Sequence, residues 1–269
     1  MPTLRELTEY HKPATLEEAL KLLRRTRIKT VPLAGGTSLV AEAAHDIQAV
    51  VDLNALALSF IKTSEVSGLE IGAATKLQAI VDQADAQAYA AGVLVKAILD
   101  SAARNLREAA SLAGSIVAAP GNSPLFTALL ALDAHLIVRI ARRKREEEIA
   151  LPYWTPQPRS LILRVTLPPL PDNTHAAYEK VARTPADQPI VCVAARATID
   201  QGQLHDIRLA LGGVNEKPIV IPQPAGSIED LTQLATSAIT PHDDYLATAD
   251  YRREMIGVLV KRVLSGLLP

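Results

Sequence analysis

The chain has 269 residues, of which 48% are hydrophobic and 21% charged, and its formal net charge is -1. This length can bury a sizeable core in one large domain or two modest ones, and the composition is typical of a soluble globular protein. A nearly neutral chain with only 3% aromatic residues argues against nucleic acid and anionic membranes as partners, because phosphate attraction and base stacking would lack the residues they need.

The first third of the chain predicts alternating helices and strands. "ATLEEALKLLRR" has a capping-box pattern, with Thr15 as the N-cap and Glu18 three residues later. A short strand at 31–34 leads to Gly35-Gly36, then a second helical segment and a strand at 49–53. This strand–helix–strand order, with glycine at the first turn, favours a fold of mixed helices and sheets over an all-helical one.

The middle of the chain continues with helices and strands. "LEIGAATKLQAIVDQ" predicts a strand and then a helix, and residues 86–104 have a helical, alanine-rich pattern. A buried helix is predicted at 125–132 and a strand at 134–140. The charge run "RRKREEE" that follows predicts a solvated hairpin tip, with a partner-binding patch as the alternative.

Proline marks the predicted boundary between two domains. "LPPLPDNTH" at 167–175 is typical of an extended linker. Beyond it, three segments alternate like antiparallel strands, with a turn at Asp200-Gln201-Gly202. Two helices are predicted to finish the chain, at 227–237 and 244–264. The pattern indicates a small second domain with a three-stranded antiparallel sheet plus helices.

The residue types narrow the chemistry that the chain itself can carry. Cys192 is the single cysteine, so an internal disulfide, a self-contained iron–sulfur cluster and a cysteine-based zinc site are excluded. We interpret it as a small buried residue of a strand. The N-terminus has no apolar signal core, and no segment approaches the ~20 apolar residues of a membrane span. We therefore expect a cytoplasmic protein without membrane insertion.

Two stretches of small residues stand out, "VPLAGGTSLV" at 31–40 and "SLAGS" at 111–115. A phosphate can be held without a cationic side chain when several backbone N–H groups converge on it, which requires small side chains and free φ angles. Gly35, Gly36, Thr37 and Ser38 supply such a cradle after a strand, although a Gly-Gly pair alone is often only a tight turn.

Two cradles together fit a diphosphate. The P-loop motif with its lysine is absent, as are the dinucleotide-binding glycine motif and the zinc motif H-E-x-x-H. "GNSPL" at 121–125 lacks the final glycine of a serine-nucleophile elbow. The pattern favours a nucleotide whose reactive group lies away from the phosphates, such as a flavin nucleotide, over one that is bound for phosphoryl transfer.

Nearly the whole chain resembles the FAD-binding medium subunits of molybdenum hydroxylases, the family of the carbon monoxide dehydrogenase flavoprotein and the xanthine dehydrogenase flavin domain. "PLAGGTSLV" resembles the family's first diphosphate loop, and "NLREAASLAGS" its second, with Arg107 four residues before the loop. "LLALDAHLIV", "LILRVTLP", "YEKVARTPADQPIVCVAA" and "YRREMIGVLVKRVL" resemble later family segments in the same order.

The resemblance implies an α+β fold with two domains. Residues 1–172 would form a vanillyl-alcohol-oxidase-like (PCMH-type) FAD-binding domain, and residues 173–269 a C-terminal domain of the carbon monoxide dehydrogenase flavoprotein type. It also implies an oxidoreductase subunit in a hetero-oligomer, for example a dimer of heterotrimers. A large molybdopterin-binding subunit would oxidise the substrate, and a small 2Fe–2S subunit would pass electrons to FAD on this chain and then to an external acceptor.

Carried over by position, the resemblance implies contacts to FAD but no catalytic residue and no metal ligand. Ile162 would contact the flavin through its backbone, and Lys180 would lie near the ring, with an ordinary surface lysine as the alternative reading. The full set of implied contacts is Leu33, Ala34, Gly35, Gly36, Thr37, Ser38, Leu39, Ser111, Leu112, Ala113, Gly114, Ser115, Ser123, Ile162 and Lys180.

Three positions depart from the family pattern. The second loop usually reads Gly-Gly-Asn, and here it is Ala113-Gly114-Ser115. Ser123 stands where the family usually has an aspartate, so the charge is missing there. The departures leave open a degenerate scaffold subunit of the same complex that has weakened or lost FAD binding. A self-sufficient flavin oxidase is the other alternative, but it would need an acid or base beside the ring.

Overall fold

The computed structural model describes residue 4 and residues 6–41, 46–222 and 224–268. The chain forms two compact units, each assembled from segments that are separated in the sequence. The described residues of the first unit fall in Met1–Ile80, Arg104–Ala118 and His135–Leu167, and those of the second in Val81–Ala103, Ala119–Ala134 and Pro168–Pro269. The prediction of mixed helices and sheets is confirmed.

The first unit begins with a small parallel sheet. Its strands are β1 (Glu9–His11), β2 (Thr30–Leu33) and β3 (Ala49–Asp52), in the order β1-β3-β2 with both pairs parallel. Helix α1 (Leu16–Leu23) connects β1 to β2, and the short helix α2 (Thr37–Ala41) follows β2 after the turn at residues 34–36. Parallel neighbours need such crossover connections, which explains the alternation of the sequence pattern.

The predicted cap of α1 is present. The Thr15 hydroxyl accepts a hydrogen bond from the amide of Glu18 at 3.3 Å, which satisfies one of the free amides of the first helical turn. The buried face of the helix carries Leu20 and Leu23, which belong to an apolar cluster that includes Leu161 and Leu163. The helix thus covers apolar residues of the unit's second sheet.

The second sheet of this unit is antiparallel and has five strands. Their order is β4-β5-β8-β6-β7. The strands are β4 (Ile61–Ser64), β5 (Gly68–Gly72), β6 (His135–Ile140), β7 (Glu146–Ala150) and β8 (Ser160–Leu167), and the nearby helices are α3 (Leu77–Asp82), α6 (Arg104–Ala109) and α7 (Leu112–Val117). Strand β8 joins the sheet halves by pairing with both β5 and β6.

The predicted hairpin tip lies between β6 and β7. Residues 142–146 are exposed, in agreement with the solvated alternative for the charge run. Each of the three glutamates of β7 has a side-chain partner: Glu146 contacts Arg164 at 3.0 Å, Glu147 contacts Arg143, and Glu148 contacts His135 at 2.9 Å. Such exposed pairs contribute little to stability, roughly 0–1 kcal/mol each.

The second unit contains one antiparallel sheet with four strands, so the prediction of three strands was wrong. The order is β12-β11-β10-β9. The strands are β9 (Thr174–Val181), β10 (Val191–Asp200), β11 (Gln203–Gly212) and β12 (Ile219–Val220). Strand β12 has two residues, which is too short for an alternating pattern, and Pro218 and Pro222 flank it closely.

Among the described residues, five α-helices and a 3-10 helix at Tyr89–Gly92 complete the second unit. The α-helices are α4 (Ala84–Ala88), α5 (Val93–Ser101), α8 (Pro124–Ala131), α9 (Ile228–Ser237) and α10 (Ala249–Ser265). Helix α10 starts later than the predicted residue 244, because the Asp244 carboxylate accepts the amides of Leu246 and Ala247 at 2.8 and 3.1 Å. Thr248 then caps the helix by accepting the amide of Tyr251.

Within the described ranges, every helix is too short or too polar to span a lipid bilayer.

A buried arginine holds α10 against the ends of two strands. Arg252 is 3% exposed. Its Nη1 donates to the carbonyls of Ile190 and Gly213 at 2.7 and 2.8 Å, and its Nη2 lies 2.6 Å from Asp244 Oδ1. A buried charge is tolerated only when it is paired and hydrogen-bonded. This side chain therefore ties the helix start to the residues that flank β10 and β11.

Replacing Arg252 by alanine should lower the free energy of unfolding by about 3 kcal/mol, because two carbonyls and a carboxylate lose their shared partner. Chemical denaturation followed by circular dichroism measures the change. The neighbouring Arg253→Ala is the matched control, since that side chain is exposed and its ion pair with Asp250 is long, at 3.5 Å. Equal losses for the two variants would contradict this account.

The lone cysteine occupies the strand position that the sequence predicted. Cys192 lies in β10 and is fully buried. Its Sγ is 3.4 Å from Thr127 Oγ1. Burial raises the pKa of the thiol to about 12, with the hydrogen bond to Thr127 acting in the opposite direction. The thiolate that would react with disulfides and alkylating agents is therefore almost absent at neutral pH.

We expect Cys192 to resist a thiol-disulfide reagent in the native protein at pH 8 and to react fully in denaturant. The reason is that both the burial and the raised pKa disappear when the chain unfolds. Absorbance of the released thiolate gives the rate, and a denatured sample gives the end point. Rapid stoichiometric reaction of the native chain would show that the strand is accessible after all.

Candidate functional site

The first small-residue turn joins β2 to α2 in the first unit. Strand β2 ends at Leu33, and α2 begins at Thr37. Gly36 has φ +72°, a left-handed value that side chains with a Cβ rarely adopt. The carbonyl of Gly36 accepts the amide of Val40 at 2.9 Å, which starts the helix. Glycine is therefore needed here for conformation.

Gly35 is needed for a different reason, which is close approach. A Cβ placed on it would lie 2.1 Å from the carbonyl oxygen of Ala109 and 2.9 Å from the Cα of Ala110. These distances are shorter than any ordinary contact. The first turn thus packs directly, main chain on main chain, against the corner between α6 and α7. Small residues in both stretches let the two turns meet.

The first turn has unused hydrogen-bond donors. Within the described part of the chain, the amides of residues 35–39 have no hydrogen-bond acceptor. All five residues line a cavity. Buried or half-buried amides are almost always paired in native proteins. Unpaired amides in successive residues along the wall of a cavity can accept an anion such as a phosphate oxygen.

The second stretch differs from its prediction as an open cradle, because it is the beginning of helix α7. Ser111 is the N-cap, and its hydroxyl accepts the amide of Gly114 at 3.2 Å. The other amides of the stretch also have acceptors: Leu112 N bonds Thr75 O at 2.9 Å, Ala113 N bonds Ala73 O at 3.0 Å, and Ser115 N bonds Ser111 O at 3.0 Å. This stretch therefore offers a ligand its small surface and the hydroxyl of Ser111, and not its amides.

Both turns contribute to the wall of a single cavity of about 830 Å³ in the first unit. That volume is within the range of small-molecule and cofactor sites. Eleven of the sequence-predicted residues line it: Leu33, Ala34, Gly35, Gly36, Thr37, Ser38, Leu39, Ser111, Ala113, Gly114 and Ile162. Leu112 and Ser115 belong to the same unit but are not among the lining residues.

The sequence did not identify Trp154, which also lines the cavity. It is the only tryptophan of the chain and is 6% exposed. The loop that follows it, with Pro156 and Pro158, forms part of the same wall. Its rarity in a chain poor in aromatics was the one available signal. An indole in a nucleotide-sized cavity gives an apolar surface on which a planar ring can pack.

The two remaining predicted residues belong to the second unit, and both already have partners there. Ser123 is the N-cap of α8, and its hydroxyl accepts the amide of Phe126 at 3.2 Å. Lys180 Nζ lies 3.1 Å from Asp100 Oδ1 and donates to the carbonyl of Pro185 at 2.9 Å. The lysine charge is therefore balanced by a carboxylate. Their contact to a cofactor stays a prediction.

A polar network lies beneath the first turn. The buried carboxylate of Asp52 accepts hydrogen bonds from Tyr10 and Asn54. Burial alone would raise the pKa of Asp52, but these hydrogen bonds outweigh it and hold the pKa below its usual range. Lys76 donates to the carbonyl of Ala109 at 2.9 Å. Burial lowers the pKa of Lys76, while the nearby charge of Asp52 opposes that shift.

Across the described ranges, no group of His, Cys, Asp and Glu side chains could hold a metal ion.

The first unit thus has a cavity of cofactor size whose wall includes residues with unpaired amides among the described residues, and comparison with known proteins gives the family of the chain. The family described as "FAD binding domain in molybdopterin dehydrogenase" matches residues 5–170, and "CO dehydrogenase flavoprotein C-terminal domain" matches residues 176–267. The chain belongs to this family. It is an FAD-binding subunit of the molybdenum hydroxylase type of oxidoreductase.

Relatives align over almost the full length of the chain. The glyceraldehyde dehydrogenase medium chain of Sulfolobus acidocaldarius is 29% identical, with 95% of this chain and 96% of that one aligned. The xanthine dehydrogenase FAD-binding subunit of Escherichia coli O157:H7 is 26% identical, with 97% and 96% aligned. A carbon monoxide dehydrogenase structure from Hydrogenophaga pseudoflava superposes with a TM-score of 0.87 at 23% identity, covering 98% of this chain and 99% of that one. That likeness confirms the predicted fold.

The close approach of Gly35 predicts the effect of the smallest substitution. Gly35→Ala should weaken FAD binding about tenfold, because the added Cβ displaces the turn from Ala109 and misaligns its amides. Equilibrium titration with FAD measures the affinity. Gly257→Ala is the control, since a Cβ added in that helix would make only ordinary contacts, at 3.5 Å from Thr236 and 3.7 Å from Thr232. Wild-type affinity in Gly35→Ala would refute the packing argument.

Proposed function

We propose that this chain is the electron-transferring flavoprotein subunit of a molybdenum hydroxylase complex. A large molybdopterin subunit would oxidise the substrate, a small 2Fe–2S subunit would relay the electrons, and this chain would pass them through FAD to an external acceptor. The proposal is supported by the family membership and by the single cysteine, which cannot ligate a cluster, so that the relay must use another chain.

The observation that carries the proposal is that the amides of residues 35–39 have no acceptor among the residues that the structure describes. A pair of phosphates fits them because each oxygen can accept an N–H where no protein acceptor competes. The hydroxyls of Thr37, Ser38 and Ser111 lie in residues that line the same cavity and can add donors. Trp154 and Ile162 would give apolar walls for the ring systems. When bound, FAD supplies the hydride and one-electron chemistry.

The contribution of the protein to this function is binding and orientation. The amides of the first turn would fix the diphosphate. The polar network of Asp52, Asn54 and Lys76 beneath the turn would limit its movement. Lys180 and Ser123 are proposed as further contacts. With Asp100 beside it, Lys180 would place less net positive charge near the ring than an unpaired lysine. The cytoplasmic location and the dimer of heterotrimers stay predictions.

FAD binding can be followed with Trp154 as an intrinsic probe. We expect its emission to be quenched as FAD is added to the purified, flavin-depleted full chain, with one FAD bound per chain. Riboflavin, which lacks the diphosphate, should quench far less at equal concentration. Trp154→Phe should abolish the signal while visible flavin absorbance persists after desalting. A chain that takes up no FAD would instead support the degenerate scaffold.

The relay role is tested in the complex. The chain should be co-expressed with the two partner subunits and mixed with the substrate of the complex without oxygen. The flavin absorbance should bleach in the complex and remain in the isolated FAD-loaded chain. Bleaching of the isolated chain by the same substrate would favour a self-sufficient oxidase and would contradict the relay.

A further inference from the structure

We infer that Asn54 is a positioning residue for the FAD diphosphate, acting through the carbonyl of Ala34. Its side-chain amide joins the buried carboxylate of Asp52 to the peptide that precedes Gly35. This inference rests on the proposed FAD site, because it concerns the orientation of the amides that would bind the diphosphate. Asn54 lies outside the two small-residue stretches and is not among the predicted contacts.

The acceptor that orients the Asn54 side chain is Asp52, the last residue of β3. It pairs with Leu33, the last residue of β2, and is 4% exposed. A carboxylate so deeply buried requires donors for both oxygens. Tyr10 donates its hydroxyl to Oδ2. Asn54 donates both its backbone amide and its side-chain amide to Oδ1, at 2.8 and 2.7 Å. The orientation of the Asn54 side chain is therefore fixed from one side.

The second hydrogen of the same amide group reaches the first turn. Asn54 Nδ2 donates to the carbonyl oxygen of Ala34 at 3.1 Å. A primary amide has two donors, so the two bonds are compatible. One side chain thus links a buried anion to the main chain of the turn, across 20 residues of sequence.

The orientation of that carbonyl decides what the turn presents to a ligand. The peptide between Ala34 and Gly35 is planar and trans, so its N–H points opposite to its C=O. Holding the carbonyl of Ala34 towards Asn54 directs the Gly35 N–H away from Asn54. A rotated peptide would present a carbonyl oxygen, which repels phosphate, in place of a donor. Asn54 therefore determines whether the peptide presents an N–H donor or a carbonyl oxygen to the ligand.

The opposite side of the turn is already restrained by packing. Gly35 abuts the carbonyl of Ala109, and Lys76 donates to that same carbonyl. Packing limits how far the turn can move, but a contact without direction does not select between two peptide orientations. The hydrogen bond from Asn54 supplies that direction.

Two variants of Asn54 test the inference in the full-length chain. Asn54→Leu keeps roughly the size of the side chain and removes the donor without adding a charge beside Asp52, and Asn54→Ala removes the side chain. Both should bind FAD and ADP about tenfold more weakly, because the diphosphate loses an oriented donor. Adenosine, which has no phosphate, should bind as it does to the wild type. Quenching of Trp154 reports FAD, and competition against FAD reports ADP and adenosine.

The matched control is Asn173→Ala, which also removes a side-chain amide that donates to a backbone carbonyl, that of Ile199 at 2.9 Å. It should leave all three affinities unchanged. Unchanged FAD affinity in both Asn54 variants would overturn the inference and leave the proposed function intact. Equal losses for FAD, ADP and adenosine would also overturn it, by showing general damage to the cavity. A wild-type chain that binds no FAD would overturn the proposed function itself.

Discussion

The structure of the first unit depends on a contact between two main chains. Gly35 lies so close to Ala109 and Ala110 that no side chain fits between them. This contact brings the start of α2 beside the start of α7. It also places residues 35–39, whose amides have no acceptor in the described part of the chain, on the wall of the cavity. Any larger residue at this position would separate the two turns. The small residues of both stretches have this common physical cause.

The two turns have different roles, although their sequences suggested two equal cradles. The second turn uses its own amides to begin α7 and to bond residues 73 and 75, so it supports the first turn and closes the cavity. This division bears on the departures from the family pattern. Ala113 lies inside a helix, where alanine is the most favourable residue, so the loss of glycine there carries no conformational cost. Ser115 donates its hydroxyl to the carbonyl of Ser111 and stays within the helix.

Features set by local chemistry could be predicted from the sequence. The cap at Thr15, the turn at Gly202 and the strand around Cys192 each depend on a few neighbouring residues. Features set by distant contacts could not. Strand β12 exists because β11 offers it an edge, and the later start of α10 follows from the bonds made by Asp244. The bond from Asn54 to Ala34 joins positions 20 residues apart, and no local pattern indicates it.

A turn made of bare backbone has a physical disadvantage that the surrounding residues correct. Glycine gives the chain access to many conformations, so an unsupported turn would lose considerable entropy on binding a ligand. A site that is already ordered avoids that loss and binds more tightly with the same contacts. In this chain the order comes from polar groups under the turn: the buried carboxylate of Asp52 holds Asn54, and Lys76 holds the facing carbonyl of Ala109. Because a buried charge is costly without partners, Asp52 keeps Asn54 in the orientation from which its amide reaches the carbonyl of Ala34. The hydrogen bonds that satisfy the buried carboxylate of Asp52 therefore also help to order the first turn before a ligand binds.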